Sequence, residues 1–230
     1  MKRKTIGILG GMGPEASIYL YKMLIEYAVA YFGAKNNDDF PEILLYSVPV
    51  PDFISSTKAK ERALAMLLEK IREINRTNVF RLSIACNTAH MLLPNLARAA
   101  KVPFISMIEE VAKEVARNKR KMVGLLGTPL TLRSCIYQEA LQKECVSCVI
   151  PNKESFLILD RIIRNVIRNN ITKEDGRRLI KIADRLKKQG AEGIILGCTE
   201  LPLVFPSGYS LPVYNSVAIL AKSLLRNYYK

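Results

Sequence analysis

The sequence predicts an α/β protein with two similar lobes, each built around a parallel sheet. Short apolar runs alternate with amphipathic helical patterns along the whole chain, which is typical of parallel sheets covered on both faces. Two landmarks also recur in the same order. Residues 7–10 (GILG) are matched by residues 124–127 (GLLG), and residues 85–88 (ACNT) by residues 197–199 (GCT). This repeat predicts one strand–glycine turn and one strand–cysteine turn in each lobe.

The first half of the chain contains a complete set of strand and helix patterns. Glycines end the first apolar run, Pro49 and Pro51 follow the second, and prolines are poorly tolerated inside a central strand. The predicted strands are 5–9, 43–48, 82–85 and 102–105, and the predicted helices are 16–31, 56–75, 89–100 and 108–117.

The pattern begins again at residue 121 with a second apolar run that ends in glycine. The predicted strands of this half are 121–127, 145–150, 194–196 and 212–214, and the predicted helices are 160–170, 173–189 and 217–228. Ligands of open parallel sheets bind outside the carboxyl ends of the strands. Cys86 and Cys198 lie at such ends, so two facing lobes would direct both thiols toward one cleft.

Composition narrows the function classes. The chain has 230 residues, 49% of them apolar and 24% charged, as expected for a folded soluble protein, and no apolar run approaches the roughly 18 residues of a membrane span. The odd number of cysteines, five, predicts a reducing compartment, and we expect a cytoplasmic protein. The net charge of +14 raises the possibility of nucleic-acid binding, but the basic residues are dispersed and tryptophan is absent. We therefore expect a solvated basic surface that binds neither nucleic acid nor membrane.

The two cysteines suggest a specific chemistry. A thiol between a strand end and a helix start lies near free backbone N–H groups and the positive end of the helix dipole, and both stabilise a thiolate. Cys86 and Cys198 on opposite sides of a ligand would form a base and an acid, able to invert a carbon next to a carboxylate. Asn87, Thr88, Thr199 and the backbone N–H groups of residues 10–13 are suitable donors for the carbanion's charge. The scheme requires no cofactor and no metal.

Three other patterns have alternative interpretations. His90 lies one helical turn after Cys86, which would suit a Cys–His hydrolase, although such an enzyme needs no second cysteine; otherwise His90 orients local backbone groups. Residues 11–16 fit the dinucleotide fingerprint G-x-G-x-x-A, but the acidic residue expected after the second strand is not evident. Cys145 and Cys148 have C-x-x-C spacing without a second pair, so we expect packing rather than a zinc site.

Three motifs resemble those of the aspartate/glutamate racemase family, especially its aspartate racemase branch. They are 10–14 (GGMGP), 86–90 (CNTAH) and 197–200 (GCTE), and the resemblance extends from Thr5 to about Ala221. It implies cofactor-independent racemisation of an acidic amino acid by Cys86 and Cys198, in a homodimer. It also implies flavodoxin-like lobes related by pseudo-twofold symmetry, with the active site in the cleft between them. The first lobe would comprise residues 1–106 and 210–230, and the second lobe residues 107–209.

The resemblance also assigns a substrate site by position. Arg168 falls where aspartate racemases have a lysine that contacts the side-chain carboxylate, and Glu200 replaces the histidine of glutamate racemases. Phe53 departs from the family pattern, because the aspartate racemase branch has an arginine there that binds this carboxylate. The implied substrate-binding residues are Met12, Gly13, Phe53, Asn87, Thr88, Thr128, Thr131, Arg168, Thr199 and Glu200.

Because of Phe53, several functions remain open. The substrate is aspartate, glutamate or a less acidic amino acid. Relatives with the same fold isomerise maleate, racemise hydantoins or decarboxylate malonates, although the decarboxylases keep only one of the two cysteines. A homologue that binds a ligand without turnover is the remaining alternative.

Overall fold

The computed structural model describes residues 4–52 and 57–230. The chain forms two compact units: the described residues up to Met107 together with Leu220–Lys230 form the first, and Ile108–Ile219 form the second. Each unit contains a parallel sheet flanked by helices. The predicted α/β class with two parallel sheets is therefore confirmed.

The sheet of the first unit has β1 at its centre, in the order β2-β1-β3 within the described residues. Every residue of β1 is buried, as its continuous apolar run predicted. Helix α2 buries a stripe at residues 63, 67, 71 and 74, which is the spacing of one helical face. The elements are β1 (Thr5–Gly10), α1 (Pro14–Phe32), β2 (Glu42–Ser47), α2 (Thr57–Ile74), β3 (Val79–Ile84) and α3 (Leu93–Ala99), with 3₁₀ turns at Asn37–Asp39 and Thr88–Leu92.

The sheet of the second unit has the order β5-β4-β6-β7 within the described residues, with every pairing parallel. A Cβ at Gly124 in β4 would lie 2.9 Å from side-chain atoms of Ile194 and Leu186, so this glycine lets strand and helix pack closely. The elements are α4 (Met107–Arg117), β4 (Met122–Gly127), α5 (Pro129–Arg133), α6 (Ile136–Lys143), β5 (Ser147–Val149), α7 (Lys153–Ile167), α8 (Lys173–Lys188), β6 (Ile194–Gly197), β7 (Val213–Asn215) and α9 (Ser216–Tyr228), with a 3₁₀ turn at Leu201–Leu203.

The chain returns to the first unit later than the sequence predicted. Residues 210–219 were assigned to the first lobe, but β7 pairs with β6, so this segment belongs to the second unit. The change occurs within α9, at Leu220. The Tyr229 hydroxyl then donates a hydrogen bond to the Asp39 carbonyl at 2.7 Å, and its ring stacks on Phe32.

Several element boundaries also differ from the sequence prediction. Residues 102–105 form only an isolated bridge between Leu82 and Phe104, because Pro103 has no N–H to donate to a ladder. The helix predicted at 89–100 is a 3₁₀ turn followed by α3, which begins with a proline in its first turn. Helix α7 begins earlier than residue 160, because Asn152 caps its first turn.

Both strand pairings bring a glycine landmark and a cysteine landmark to one sheet edge. In the first unit Leu9 pairs with Ile84, and the Ala85 N–H donates to the Leu9 carbonyl at 2.8 Å. In the second unit Gly127 pairs with Gly197. Each unit therefore presents a glycine turn and a cysteine turn side by side at the carboxyl ends of adjacent strands.

Candidate active site

Cys86 is the second residue after β3, in a turn that the β1–β3 ladder holds in place. Its side chain is 8% exposed, and the following Asn87 and Thr88 are also buried. A 3₁₀ turn begins at Thr88. The sequence-predicted residues Cys86, Asn87 and Thr88 therefore form one compact group at the carboxyl edge of the first sheet.

His90 fixes the backbone of this turn through both ring nitrogens. Nδ1 lies 2.8 Å from the Cys86 carbonyl oxygen, and Nε2 lies 3.0 Å from the Met107 backbone nitrogen. Because a backbone N–H can only donate, Nε2 is the acceptor of the Met107 N–H. The ring proton is therefore on Nδ1, which donates to the carbonyl oxygen of Cys86. Burial lowers the pKa of His90 from 6.5 to about 4, opposed only in part by the hydrogen bond to the Cys86 carbonyl.

This arrangement decides between the two interpretations of His90. The neutral ring uses both nitrogens on backbone groups, so neither is placed to take a proton from the Cys86 thiol. His90 therefore orients the turn, and the Cys–His hydrolase alternative loses its base.

The turn after β1 requires a glycine at position 11, because its backbone conformation and a neighbouring strand end leave no room for a side chain. Gly11 has a φ of +87°, and a Cβ there would clash with the Val48 backbone nitrogen. The Gly11 N–H donates to the Ser17 hydroxyl at 2.8 Å. Met12 and Gly13 follow, both partly exposed. These contacts explain the glycine of this motif without a dinucleotide.

Cys198 directly follows β6, and its thiol contacts a neighbouring side chain. Its thiol donates to Glu200 Oε2 at 2.9 Å, and the Thr199 hydroxyl donates to the same oxygen at 3.0 Å. All three side chains are buried: Cys198 is 5% exposed and Glu200 3%. Glu200 thus contacts both the Cys198 thiol and the Thr199 hydroxyl.

Thr128 and Thr131 lie beside this turn at the same sheet edge. Thr128 follows β4 and caps α5, because its hydroxyl oxygen accepts from the Thr131 N–H at 3.0 Å. The two hydroxyl oxygens are also 3.0 Å apart, and both residues are buried. The pairing of β4 with β6 brings these threonines to the edge that carries Cys198.

Arg168 and Phe53 are the last two residues of the predicted substrate site. Arg168 caps the carboxyl end of α7 and is exposed. Near this end Asn165 donates to Asp175 at 3.3 Å, and a Cβ at Gly176 would lie 3.2 Å from the Val204 carbonyl in the segment after Cys198. The end of α7 is thus connected through α8 to that segment. Phe53 lies outside the described residues.

Sequence reasoning missed two residues behind Cys198. Tyr137 of α6 is fully buried and interacts electrostatically with the Cys198 thiol, and burial raises the pKa of its phenol far above the ordinary range. Ser216 donates to the Leu196 carbonyl at 2.9 Å and hydrogen-bonds the phenol. A tyrosine on an amphipathic helix carries no local signal that its hydroxyl lies behind a thiol, so the sequence offered no way to find it.

Cys145 and Cys148 have C-x-x-C spacing but are not part of a metal-binding group among the described residues. Among the described residues no group of three or more histidine, cysteine and acidic side chains is placed to bind a metal ion. Burial raises the pKa of Cys148 to about 12, whereas Cys145 is exposed. In the part of the chain that the structure describes, no helix is both long enough and apolar enough to span a bilayer.

Comparison with known proteins identifies relatives along nearly the whole chain. A broad specificity amino-acid racemase of Bacillus subtilis is 29% identical over 224 residues, which cover 97% of both chains. An aspartate racemase homologue from Pyrococcus horikoshii is 30% identical, covers all of both chains and has a TM-score of 0.84. The aspartate racemase of Picrophilus torridus is 28% identical, with 98% of this chain and 94% of that chain covered and a TM-score of 0.82.

The family comparison agrees with these relatives. Residues 9–224 match the Asp/Glu/Hydantoin racemase family, so the match includes the glycine turn after β1, the second glycine landmark at residues 124–127 and both cysteine turns. The chain therefore belongs to the Asp/Glu/hydantoin racemase family.

Proposed function

We propose that the chain is a cofactor-independent amino-acid racemase that inverts the α-carbon of an acidic amino acid, aspartate or glutamate. The observation that carries the proposal is the repeated construction: each sheet ends in a turn with a buried cysteine beside a glycine or threonine turn. Membership of the racemase family supports the reaction class.

In this mechanism the two cysteines act on opposite faces of one substrate. The thiolate of one removes the α-proton, and the electron pair of the broken C–H bond remains on the carbon and spreads into the carboxylate. The thiol of the other cysteine then delivers its proton to the opposite face, which inverts the centre. Asn87, Thr88 and Thr199 beside the two thiols supply polar groups for the carboxylate and the amino group.

Thr128 and Thr131 extend the polar lining beside Cys198, since both hydroxyls lie at the same sheet edge. The backbone around Met12 and Gly13 has the corresponding position beside Cys86. Arg168 is the candidate for the side-chain carboxylate, because a guanidinium can bind it with two parallel hydrogen bonds.

A second candidate is a racemase that accepts neutral amino acids. Phe53 stands where the aspartate racemase branch has a carboxylate-binding arginine. The Bacillus subtilis relative, which matches nearly the whole chain, has broad specificity. An aromatic ring at this position would favour apolar substrate side chains.

Proton NMR in D₂O tests the proposal and separates the two candidates. Purified protein without added pyridoxal phosphate is incubated separately with the L- and D-forms of aspartate, glutamate, alanine, leucine and methionine. We expect loss of the α-proton signal of an acidic substrate and appearance of its other enantiomer on chiral chromatography. Exchange confined to neutral substrates would favour the second candidate, and no exchange with any substrate would favour a ligand-binding homologue.

Two matched controls make the assay specific. The variant C145S replaces an exposed cysteine outside the candidate site and should keep wild-type exchange. The double variant C86S/C198S should lose it. We also propose that the active protein is a homodimer, which light scattering coupled to size-exclusion chromatography measures directly.

A further inference from the structure

The buried carboxylate of Glu200 is placed to control the proton of Cys198. The Cys198 thiol and the Thr199 hydroxyl approach the same oxygen, Oε2, at 2.9 and 3.0 Å. One oxygen carries at most one proton, so at least one of these two groups donates to Glu200. Glu200 is only 3% exposed, so its carboxylate interacts with the thiol and the hydroxyl rather than with solvent.

The ordinary acidities of the two groups indicate where the shared proton resides. A carboxyl group is about four pKa units more acidic than a thiol, so a proton shared between them stays on sulfur. The Thr199 hydroxyl donates a second hydrogen bond to the same carboxylate oxygen. A thiolate on Cys198 would place a second negative charge next to the first, in a buried site.

A second titratable side chain that acts on this thiol, the phenol of Tyr137, does not change the balance. Tyr137 of α6 interacts with Cys198, but burial raises the pKa of its phenol so far that the ring stays neutral at any pH used in the experiments below. Its hydroxyl is engaged with Ser216.

We propose that Glu200 is a positioning residue that keeps the proton on Cys198, so that Cys198 enters the reaction as the acid and Cys86 as the base. This assignment rests on the two-cysteine reaction proposed above and specifies which thiol serves which step. In the forward step the substrate's α-proton passes to the Cys86 thiolate, and the Cys198 proton passes to the opposite face. The thiolate left on Cys198 then lies beside the Glu200 carboxylate. The resting enzyme is restored when Cys86 releases the proton that it took from the substrate and Cys198 takes up a proton.

The proposal gives Glu200 a different role from the one that the resemblance implies. The resemblance placed Glu200 among the substrate-binding residues. Its hydrogen bonds instead direct it toward Cys198 and Thr199, so it acts on the substrate through the thiol.

The test is a pH titration of cysteine Cβ signals in protein labelled with ¹³C at this carbon. The five cysteines give five signals, and spectra of C86S and C198S assign the two of interest. In the wild-type protein we expect Cys198 to lose its proton at a higher pH than Cys86. A Cys198 midpoint equal to or below that of Cys86 would overturn the proposal, and this arm needs no Glu200 variant to fold.

The second arm uses E200Q, which keeps the size of the side chain and removes its charge. Because a hydrogen bond to a charged group contributes roughly 1.5–3 kcal/mol, the Cys198 midpoint should fall by about 1–2 pH units. The Cys86 midpoint, measured in the same sample, should not move. An unchanged Cys198 midpoint, or an equal fall at both cysteines, would contradict the assignment.

The titrations test the assignment of the proton to Cys198, whereas turnover tests the proposed racemisation. The titrations use no substrate, so they can fail while racemisation is observed, and they can succeed where no substrate is turned over. Where turnover is observed, E200Q should change the ratio of kcat for the L- and D-substrates. The two values of kcat/KM must remain equal to each other, since the equilibrium constant of a racemisation is one. A residue with a purely structural role would lower both kcat values by the same factor.

Discussion

The turn after β3 and the turn after β6 carry equivalent cysteines but hold them by different means. In the first turn His90 binds the carbonyl of Cys86 and the backbone of Met107, so the contact fixes the chain and leaves the thiol to other partners. In the second turn Glu200 binds the thiol itself. One lobe therefore controls where its sulfur lies, and the other controls whether its sulfur carries a proton.

A sequence repeat therefore does not guarantee a repeated chemical environment. A two-base reaction needs one thiolate and one thiol at the start, and two identical environments would not favour either assignment. The residues that break the symmetry, His90 and Glu200, lie four and two positions after their cysteines. They are outside the short matching segments that define the repeat.

The largest expected effect comes from removing either sulfur. C86S and C198S should each lower the rate of racemisation by about 10²–10⁴-fold, because each loses one proton-transfer group. The two variants should differ more clearly in which enantiomer exchanges its α-proton than in their rates of racemisation. C198S keeps the proposed base and should still exchange the α-proton of one enantiomer slowly, without inversion, whereas C86S should favour the other enantiomer.

Proton NMR in D₂O on each pure enantiomer measures both quantities, with C145S as the matched cysteine control. Wild-type racemisation by either serine variant would exclude the two-base mechanism.

The next effect concerns the backbone lock of the first turn. H90L removes the buried acceptor of the Met107 N–H and the donor to the Cys86 carbonyl, and each unsatisfied group costs about 1–3 kcal/mol. We expect the free energy of unfolding to fall by about 2–5 kcal/mol, measured by urea denaturation.

H90Q is the matched control, because its amide can supply an acceptor near the position of Nε2 and should recover part of this loss. Equal stability of H90L and the wild-type protein would show that the two hydrogen bonds contribute nothing.

The sequence predicted the two cysteine turns well because their signals are local. An apolar run that ends in glycine or cysteine marks the carboxyl end of a buried strand, and parallel pairing brings those ends to one edge. Cys86 and Cys198 therefore lie in their units where the sequence placed them, at the carboxyl edge of each sheet. Thr199 and Glu200 follow Cys198 directly in the sequence and share hydrogen bonds in the same turn.

What the sequence did not predict depends on tertiary contacts. The partner of His90 is a backbone N–H 17 residues away, and a backbone group has no sequence signature. The short strand β7 joins the second sheet through its pairing with β6, which three residues of sequence cannot specify. The contact between Glu200 and the thiol requires a turn that folds the side chain back, and the sequence does not show such a turn.

The third effect is a loss of stability at acidic pH that arises from His90 in the first turn. The pKa of His90 is about 4 in the folded protein and 6.5 in its unperturbed state, so the unfolded chain binds the proton more tightly. Stability from the neutral ring is fully present above pH 6.5 and is lost as the pH falls through 4. The gap corresponds to about 3 kcal/mol.

Urea denaturation of the wild-type protein and of H90Q between pH 4 and 7 isolates this contribution, since His90 is the sole histidine of the sequence. The difference between the two proteins should shrink by up to about 3 kcal/mol toward the acidic end. A constant difference across the range would mean that the ring is not buried in its neutral form.

The smallest effect compares the glycine landmarks that accompany the two cysteines. The turn after β1 depends on a glycine, because Gly11 has a positive φ and contacts the Val48 backbone. The turn after β4 depends instead on a side chain, the Thr128 cap that accepts from the Thr131 N–H. T128A leaves that N–H without its acceptor and should lower the free energy of unfolding by about 1 kcal/mol. T128S keeps the hydroxyl oxygen and should remain within a few tenths of the wild-type value in the same urea titration. If T128S lost as much as T128A, the threonine methyl group rather than the cap would hold this turn, and the second landmark would resemble the first in depending on shape rather than on a hydrogen bond.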